Sequence, residues 1–359
     1  MTKENAIILW LSVALVPRKK IYKLYSSGEF CLLPEKIKAS DSSLIAFLSI
    51  ETIKLLTMTK LDNIIKDLNK YKVGFLTFLD DEFPKNLSEV DDPPAIIYYK
   101  GDINLINKDS ISIVGTRKPS KYGKEVTEYF TKELSNAGLI TISGLAYGID
   151  ALVAETTIKS GGKTIAVLAG GLDEVYPELN TELANNIVRS GGVIISEYPL
   201  FNKPMPHTFL ERNRIISGLS KALLITEAGE KSGALNTASH AIEQGKELFV
   251  LPHEINSNKG KGSNNLIMEY PECFTISVEQ IICVYNLNYI ARVSRSDENI
   301  NLNDEELEIY KIIDDNELNF DEIKEKAGYS ASILNTLLIT MELKSIINKD
   351  TSGYYTIKK

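Results

Sequence analysis

Six short apolar runs recur between residues 111 and 251, and each is separated from the next by a stretch long enough for a helix. The runs are Ile111–Val114, Leu139–Ser143, Thr164–Leu168, Val193–Ser196, Ala222–Thr226 and Glu247–Leu251. Their residues do not alternate between apolar and polar, so each strand has both faces buried, as happens when crossover helices cover a parallel sheet on both sides. The first intervening segment, 122–136, places Val126, Tyr129, Phe130 and Leu134 on one helical face, and Gly138 ends it. Two further β-rich runs, Val73–Leu79 and Ala95–Tyr99, flank the turn Asp91-Asp-Pro-Pro94. The pattern predicts an α/β chain: a doubly wound, mainly parallel sheet whose ligands sit beyond the carboxyl ends of its strands.

The rest of the chain reads differently. Residues 1–72 carry helical periodicity, including 44–56 and 61–71, and predict a small helical domain ahead of the sheet domain at 73–290. Residues 291–303 are polar and aperiodic, a linker. Beyond it, helices at 304–315, 319–327 and 330–343 precede a hairpin around Asp350–Gly353, which predicts a winged helix over 304–359. The apolar run Ala6–Val16 is too short to span a bilayer and is followed by Pro17-Arg-Lys-Lys20 rather than a cleavage site. It is expected to be a core helix of a cytoplasmic protein. Cys31, Cys273 and Cys283, like the three histidines, are scattered, which argues against a disulfide framework, a metal site or a metal cofactor.

The strand-end loops carry the chemistry. Gly115-Thr-Arg-Lys-Pro-Ser120, Ser143-Gly-Leu-Ala-Tyr-Gly-Ile-Asp150, Ala169–Pro177, Ser196-Glu-Tyr-Pro199 with Phe209–Arg214, and Glu227-Ala-Gly-Glu-Lys-Ser-Gly233 would all reach one rim of a parallel sheet. Glycines let backbone amides approach an anion, helix N-termini add partial positive charge, and guanidinium forks clamp phosphates. The candidate anion contacts are therefore Gly115, Thr116, Arg117, Lys118, Ser143, Gly144, Arg212, Asn213, Arg214, Lys231, Ser232 and Gly233. A dinucleotide site fails, because Arg117 stands where the second glycine of GxGxxG must be and Ser143-Gly144 replaces the ribose-binding acid. No GxxxxGK[ST] loop is present either. Plainer readings exist for several positions. The glycines serve tight turns, Phe209 belongs to the core, and Arg212 or Arg214 is the ion-pair mate of Glu197 or Glu227. Asp150, Asp173 and Glu227 have no nucleophile or base beside them in the pattern and read as cap and network residues.

Several of these blocks stand together in one order: Ile113-Val-Gly-Thr-Arg117, Ser143-Gly-Leu-Ala-x-Gly-Ile-Asp150, Gly171-Leu-Asp-x-Val-Tyr-Pro177, Ser196-Glu-Tyr-Pro199 and Arg212-Asn-Arg-Ile-Ile-Ser-Gly-Leu-Ser220. With Asp91-Asp-Pro-Pro94 and Tyr98-Tyr-Lys-Gly101 upstream, they resemble the signature blocks of the DprA/Smf family over roughly residues 73–285. The resemblance implies an extended Rossmann-like domain and a non-enzymatic homodimer. It further implies single-stranded DNA binding without sequence preference, and loading of the RecA recombinase during natural transformation. It puts the DNA-gripping arginine at Arg117 and the base-contacting aromatic at Phe209. Three positions depart from the family pattern: Tyr147 where arginine is usual, Leu210 where proline is usual, and Pro206 where a basic residue often stands. They imply weaker, more salt-sensitive binding, or compensation by Lys118, Lys121, Lys231 or Lys261. Pro17–Lys20 replaces a glycine-containing helical-hairpin turn, trading amides for side-chain charge.

Charge constrains this reading. The net charge is −8, distributed as 0 over residues 1–110, −3 over 111–290 and −5 over 291–359, so a nucleic-acid site must be a local focus of positive charge. The tail's third helix is mostly apolar in acidic surroundings, with Glu342 against Lys344, which predicts protein contact or support rather than major-groove reading. Two other functions stay open at this stage: a nucleotide-cleaving glycosidase on a related fold, whose PGGxGTxxE pattern is not matched by Glu227–Gly233, and a transcription regulator acting through the tail.

Overall fold

The computed structural model describes residues 1–287 and 302–357, apart from residues 29, 40, 314–317, 345, 351 and 352. The chain divides into two compact units, Met1–Tyr289 and Ile290–Lys359. Most of the expected linker, 291–301, lies outside the described residues.

The first unit is built on eight strands: β1 (Gly74–Thr77), β2 (Ile96–Gly101), β3 (Ser110–Gly115), β4 (Ile140–Ser143), β5 (Thr164–Leu168), β6 (Val193–Ser196), β7 (Ala222–Glu227) and β8 (Glu247–Val250). All six apolar runs are strands, and they are parallel to their neighbours in the order β6-β5-β4-β3-β7-β8. β4, β5, β6 and β7 are buried along their whole length, the burial on two faces that a non-alternating apolar run requires. The hairpin β1–β2 extends the sheet antiparallel to β6, with Tyr98 opposite Ser196.

One sheet face packs Ile111, Ile113 and Leu224 against Phe130 and Leu134 of the helix Lys121–Asn136 and Ile281 of the helix Val278–Val284. The other packs Ile165, Leu223 and Ile225 against Ile215 and Ile216 of the helix Pro206–Leu219 and Ala238 and Ala241 of the helix Gly233–Glu243. The chain runs outward from β3 through β4, β5 and β6, then returns to add β7 and β8 on the other side of β3. The crossover direction reverses between β3 and β7, and a doubly wound sheet opens a crevice beyond the carboxyl ends at that point.

The N-terminal helices share an apolar core with the sheet: Ile8, Leu9, Leu11 and Leu56 belong to the same cluster as Ala166, Leu168 and Ile194. The run Ala6–Val16 lies mostly within the helix Lys3–Val13, and among the described residues no helix is long and apolar enough to cross a membrane. The helix expected over 44–56 is two helices, Ser42–Leu48 and Ile50–Met58. Ser49 breaks it at φ 87° and caps the second with its hydroxyl, which accepts from the Thr52 N–H at 3.3 Å.

Two of the three charges of the Pro17–Lys20 turn are engaged within the protein, and Lys19 alone of the three is exposed. Arg18 Nε donates to Asp92 Oδ1 at 2.8 Å and its Nη2 to Oδ2, while Lys20 Nζ donates to the Phe47 carbonyl at 2.5 Å. Burial pushes the Asp92 carboxyl up, but the Arg18 guanidinium outweighs it and holds the group below its ordinary value of 3.8. A carboxyl with a depressed folded pKa contributes stability that is present above the unfolded value and lost as pH falls through the folded one. The acid limb of the stability–pH curve of Asp92→Asn is therefore expected to be flatter than that of the wild type below that ordinary value. Denaturant melts across this range measure it, and an unchanged acid limb would show that the pair contributes nothing.

The second unit carries the helices Asp304–Ile313, Phe320–Ala327 and Ala331–Leu343, with the strands β9 (Leu318–Asn319), β10 (Ile347–Lys349) and β11 (Tyr354–Ile357). The hairpin β10–β11 is present, and β9 adds a third antiparallel strand beside β11. Ile309, Ile323, Leu334, Leu338 and Met341 fill its core. Lys344 pairs with Glu306, its Nζ 2.7 Å from Oε1.

Candidate nucleic-acid interface

The crevice at the β3/β7 reversal encloses about 450 Å³. It is lined by Gly115, Thr116, Arg117 and Lys118 at the end of β3 and in the loop that follows, by Lys231, Ser232 and Gly233 from the loop after β7 and the start of the next helix, and by Phe209, Arg212 and Asn213 of the helix Pro206–Leu219. Ten of the thirteen expected contact residues thus line a single depression.

The first loop is held from below. The Thr116 N–H donates to the Glu227 carbonyl at 2.7 Å and the Ser120 N–H to Glu227 Oε2 at 2.8 Å. A side chain at Gly123 would place its Cβ 2.3 Å from the same Oε2, which is why glycine stands there. Glu227 itself is fully buried. The last loop ends in Ser232, whose hydroxyl accepts from the Ala234 N–H at 3.3 Å and caps the helix Gly233–Glu243. That helix presents its positive end to the crevice.

Helical geometry decides what the arginines do. Phe209, Arg212, Asn213 and Ile216 are spaced i, i+3, i+4, i+7, so they share one helix face, and all four line the crevice. Arg214 is two residues from Arg212, about 200° around the axis, and faces away. Its Nη2 donates to Glu197 Oε1 and Oε2 at 2.7 and 2.6 Å, and its Nε lies 3.6 Å from Asp92. Arg214 is thus corrected from a phosphate clamp to a buried ion-pair residue.

Ser143 and Gly144 are corrected as well. The Ser143 hydroxyl donates to the Ile113 carbonyl at 2.8 Å inside the sheet. The Gly144 carbonyl accepts from Arg212 Nη1 at 2.8 Å, and its N–H donates to Asp150 Oδ2 at 3.2 Å. A Cβ on Gly144 would come within 2.6 Å of Arg212 Nη2 and 2.7 Å of Asp150 Oδ2. This glycine is explained by the close passage of two charged groups, not by an approaching anion.

Arg212 is buried beneath the ring of Phe209, its guanidinium carbon 5.9 Å from the ring centroid. Nη1 also donates to the Val167 carbonyl, and Nε to Asn213 Oδ1 at 3.3 Å. Burial pushes its pKa down to about 10, against the opposing pull of Asp150. Burial likewise raises the Asp150 carboxyl, more than Arg212 lowers it. Arg212 therefore remains charged at neutral pH but is spent mainly on backbone carbonyls. Arg117 is exposed, with its guanidinium carbon 5.4 Å from the centroid of the same Phe209 ring, so the ring lies within cation–π range of two arginines.

Arg117, Lys118 and Lys231 have no carboxylate partner among the described residues. Of the other lysines expected to compensate for the sequence departures, Lys121 lies 3.7 Å from Glu125 and Lys261 lies 2.9 Å from Glu230, and neither lines the crevice. Four cations face one acid, Asp150, in a unit that is acidic as a whole. This is the local focus that the chain's net charge demanded. Sequence reasoning missed Tyr176, whose ring centroid lies 5.7 Å from that of Phe209. The signal is an aromatic residue in the strand-end loop Ala169–Pro177, whose glycines alone were weighed as contacts.

The family model of DNA recombination-mediator protein A matches residues 74–286. The chain is 38% identical over 211 residues to DNA processing protein DprA of Bacillus subtilis, covering 58% of this chain and 71% of that protein. The crystal structure of DNA processing protein A from Streptococcus pneumoniae superposes with a TM-score of 0.68 at 30% identity, covering 81% of this chain and 99% of that one. A solved structure of DNA processing protein A from Helicobacter pylori, described for its single-stranded DNA binding mode, gives 0.54 at 31% identity over 60% of this chain and 95% of that one. Strand order, the Arg117 loop and the Phe209 helix thus fall inside a match that spans more than half the chain, and the protein belongs to the DNA recombination-mediator protein A family, DprA/Smf.

Proposed function

We propose that the crevice binds single-stranded DNA without sequence preference. Arg117, Lys118, Lys231 and the amides around Ser232 and Gly233 hold phosphates, and an unstacked base lies on Phe209. The observation that carries this reading is the set of unpaired cations gathered around a half-buried aromatic ring. Every base has a π-face, so such a ring takes any sequence, while the cations track the backbone. Duplex DNA offers no free base face and is expected to bind less tightly.

The site binds rather than catalyses. Asp150, the acid that lines the crevice, is engaged by the Gly144 N–H and held beside Arg212, and Glu227 does not line the crevice, so neither carboxylate is placed as a free general base. Delivery of the strand to RecA, assembly as a homodimer in the cytoplasm, division of the first unit near residues 72–73, and a winged helix at 304–359 that contacts protein complete the proposal. They are supported by family membership and, for the tail, by the exposed Ile333 and Ile339 on its third helix.

Fluorescence anisotropy with a labelled oligothymidylate tests the core of it. Arg117→Ala is expected to weaken binding about tenfold or more, the loss of one charge-assisted hydrogen bond of roughly 1.5–3 kcal/mol. It should also reduce the slope of log K against log salt by about 0.7. Wild-type affinity and slope in Arg117→Ala would remove Arg117 from the site.

A further inference from the structure

We propose that the unpaired strand does not end at Phe209 but continues over Tyr176 into a second cleft, a further subsite for phosphates and bases; this rests on the reading of the crevice as a single-stranded DNA site. The cleft encloses about 1090 Å³, more than the crevice itself, and the function argued above leaves it unused. It is bounded by Tyr71 and Lys72 at the end of the helix Leu61–Tyr71, by Lys100 at the end of β2, and by the loops that follow β5 and β6.

Three observations carry the proposal. Tyr176 belongs to both places: it lines the cleft, is 54% exposed, and sets its ring against that of Phe209. A base leaving Phe209 therefore meets a second open ring at once.

Phe201 is the second observation. It lies in the loop after β6 with φ 68°, a left-handed conformation that a bulky residue adopts only at a cost, and it is nevertheless 57% exposed. Asp173 Oδ1 holds its N–H at 2.7 Å, and its ring stands 5.6 Å from that of Tyr71 beside the cleft. The edge contact with Tyr71 is the one aromatic contact this ring makes among the described residues, and backbone strain spent on keeping it more than half exposed points to a ligand.

The third observation is charge. Lys72 and Lys203 are exposed, and among the described residues neither has a carboxylate partner. Lys100 lies 6.0 Å from the Tyr71 ring centroid, and its Nζ donates to the Leu172 carbonyl at 2.7 Å. Lys203 sits in the segment that leads from β6 into the helix bearing Phe209, so it bridges the two depressions along the chain. Asp173, Glu174 and Glu178 also line the cleft and offset this charge. A small free anion would find little net attraction there. A strand, which adds base stacking to each phosphate contact, suits rings interleaved with lysines.

The test compares oligothymidylates of about 5 and about 20 nucleotides, lengths near the lower end of the usual range of single-strand site sizes and beyond its upper end. For Lys72→Gln/Lys203→Gln, affinity for the long strand is expected to fall about tenfold and its salt slope by about 1.4, two phosphate contacts. Affinity for the short strand should be unchanged. Phe201→Asn, which tolerates the backbone conformation but removes the ring, should likewise weaken only the long strand, with an unchanged melting temperature. If the double variant binds the long strand with wild-type affinity and slope, or loses both lengths equally, the cleft is not part of the path and the crevice reading stands. If the wild type binds neither length, the crevice reading falls and this inference with it.

Discussion

Arg214→Ala is expected to cost the first unit about 3–5 kcal/mol, the penalty for stripping one partner from a buried ion pair. The guanidinium is only 5% exposed and Glu197 only 11%, so the carboxylate left behind is shielded from water. Arg18, whose Nε lies 3.9 Å from Glu197, recovers little of it, because Arg18 is already turned onto Asp92. The melting transition of this unit should fall by about 6–20 °C. In the double variant Arg214→Ala/Glu197→Ala the loss should be smaller than the sum of the two single losses, since the orphaned charge is gone. Folded Arg214→Ala should still bind an oligothymidylate as the wild type does. Weakened binding at an unchanged melting temperature would restore Arg214 to the DNA contacts and overturn the helix-face argument.

The arginine pair shows where the sequence was legible and where it was not. The strands could be read because a parallel sheet covered on both faces leaves long apolar runs, and all six runs became strands in one doubly wound order. The meeting of the Arg117 loop, the Phe209 helix and the Lys231 loop followed from strand direction alone. The roles of Arg212 and Arg214 also lay within reach, since two residues on a helix point to opposite sides, but a linear motif treats them as equivalent. The alternative that one of them pairs with Glu197 was the correct half of an open choice. Gly144 and Ser143 could not be assigned this way. Whether a strand-end glycine admits an anion or yields space to a passing guanidinium depends on contacts about 70 residues apart in the chain. The break at Ser49 was hidden for a related reason: 44–56 has continuous apolar periodicity, and the left-handed residue that splits it carries no sequence mark beyond a serine able to cap. Tyr176 was overlooked because its loop was read for its glycines, while its contribution is a ring.

Phe209→Ala is expected to weaken single-stranded DNA binding by about 5- to 150-fold, the loss of roughly 1–3 kcal/mol of base stacking. The ring is half-buried and carries Arg117 and Arg212 within 5.4 and 5.9 Å of its centroid, so the substitution also loosens the two guanidinium groups that line the crevice beside it. What separates this residue from Arg117 is the form of the loss. Stacking releases no counterions, so the slope of log K against log salt should stay at the wild-type value in Phe209→Ala while it falls in Arg117→Ala. Phe209→Trp should keep most of the affinity, because an indole offers an equal or larger face, whereas Phe209→Leu, apolar but without a π-face, should behave like alanine. The loss should be similar on thymidine-rich and mixed-sequence strands, as expected for a contact that reads no base edge. If leucine substitutes fully for phenylalanine, the ring only fills space, and the cations alone would have to account for binding.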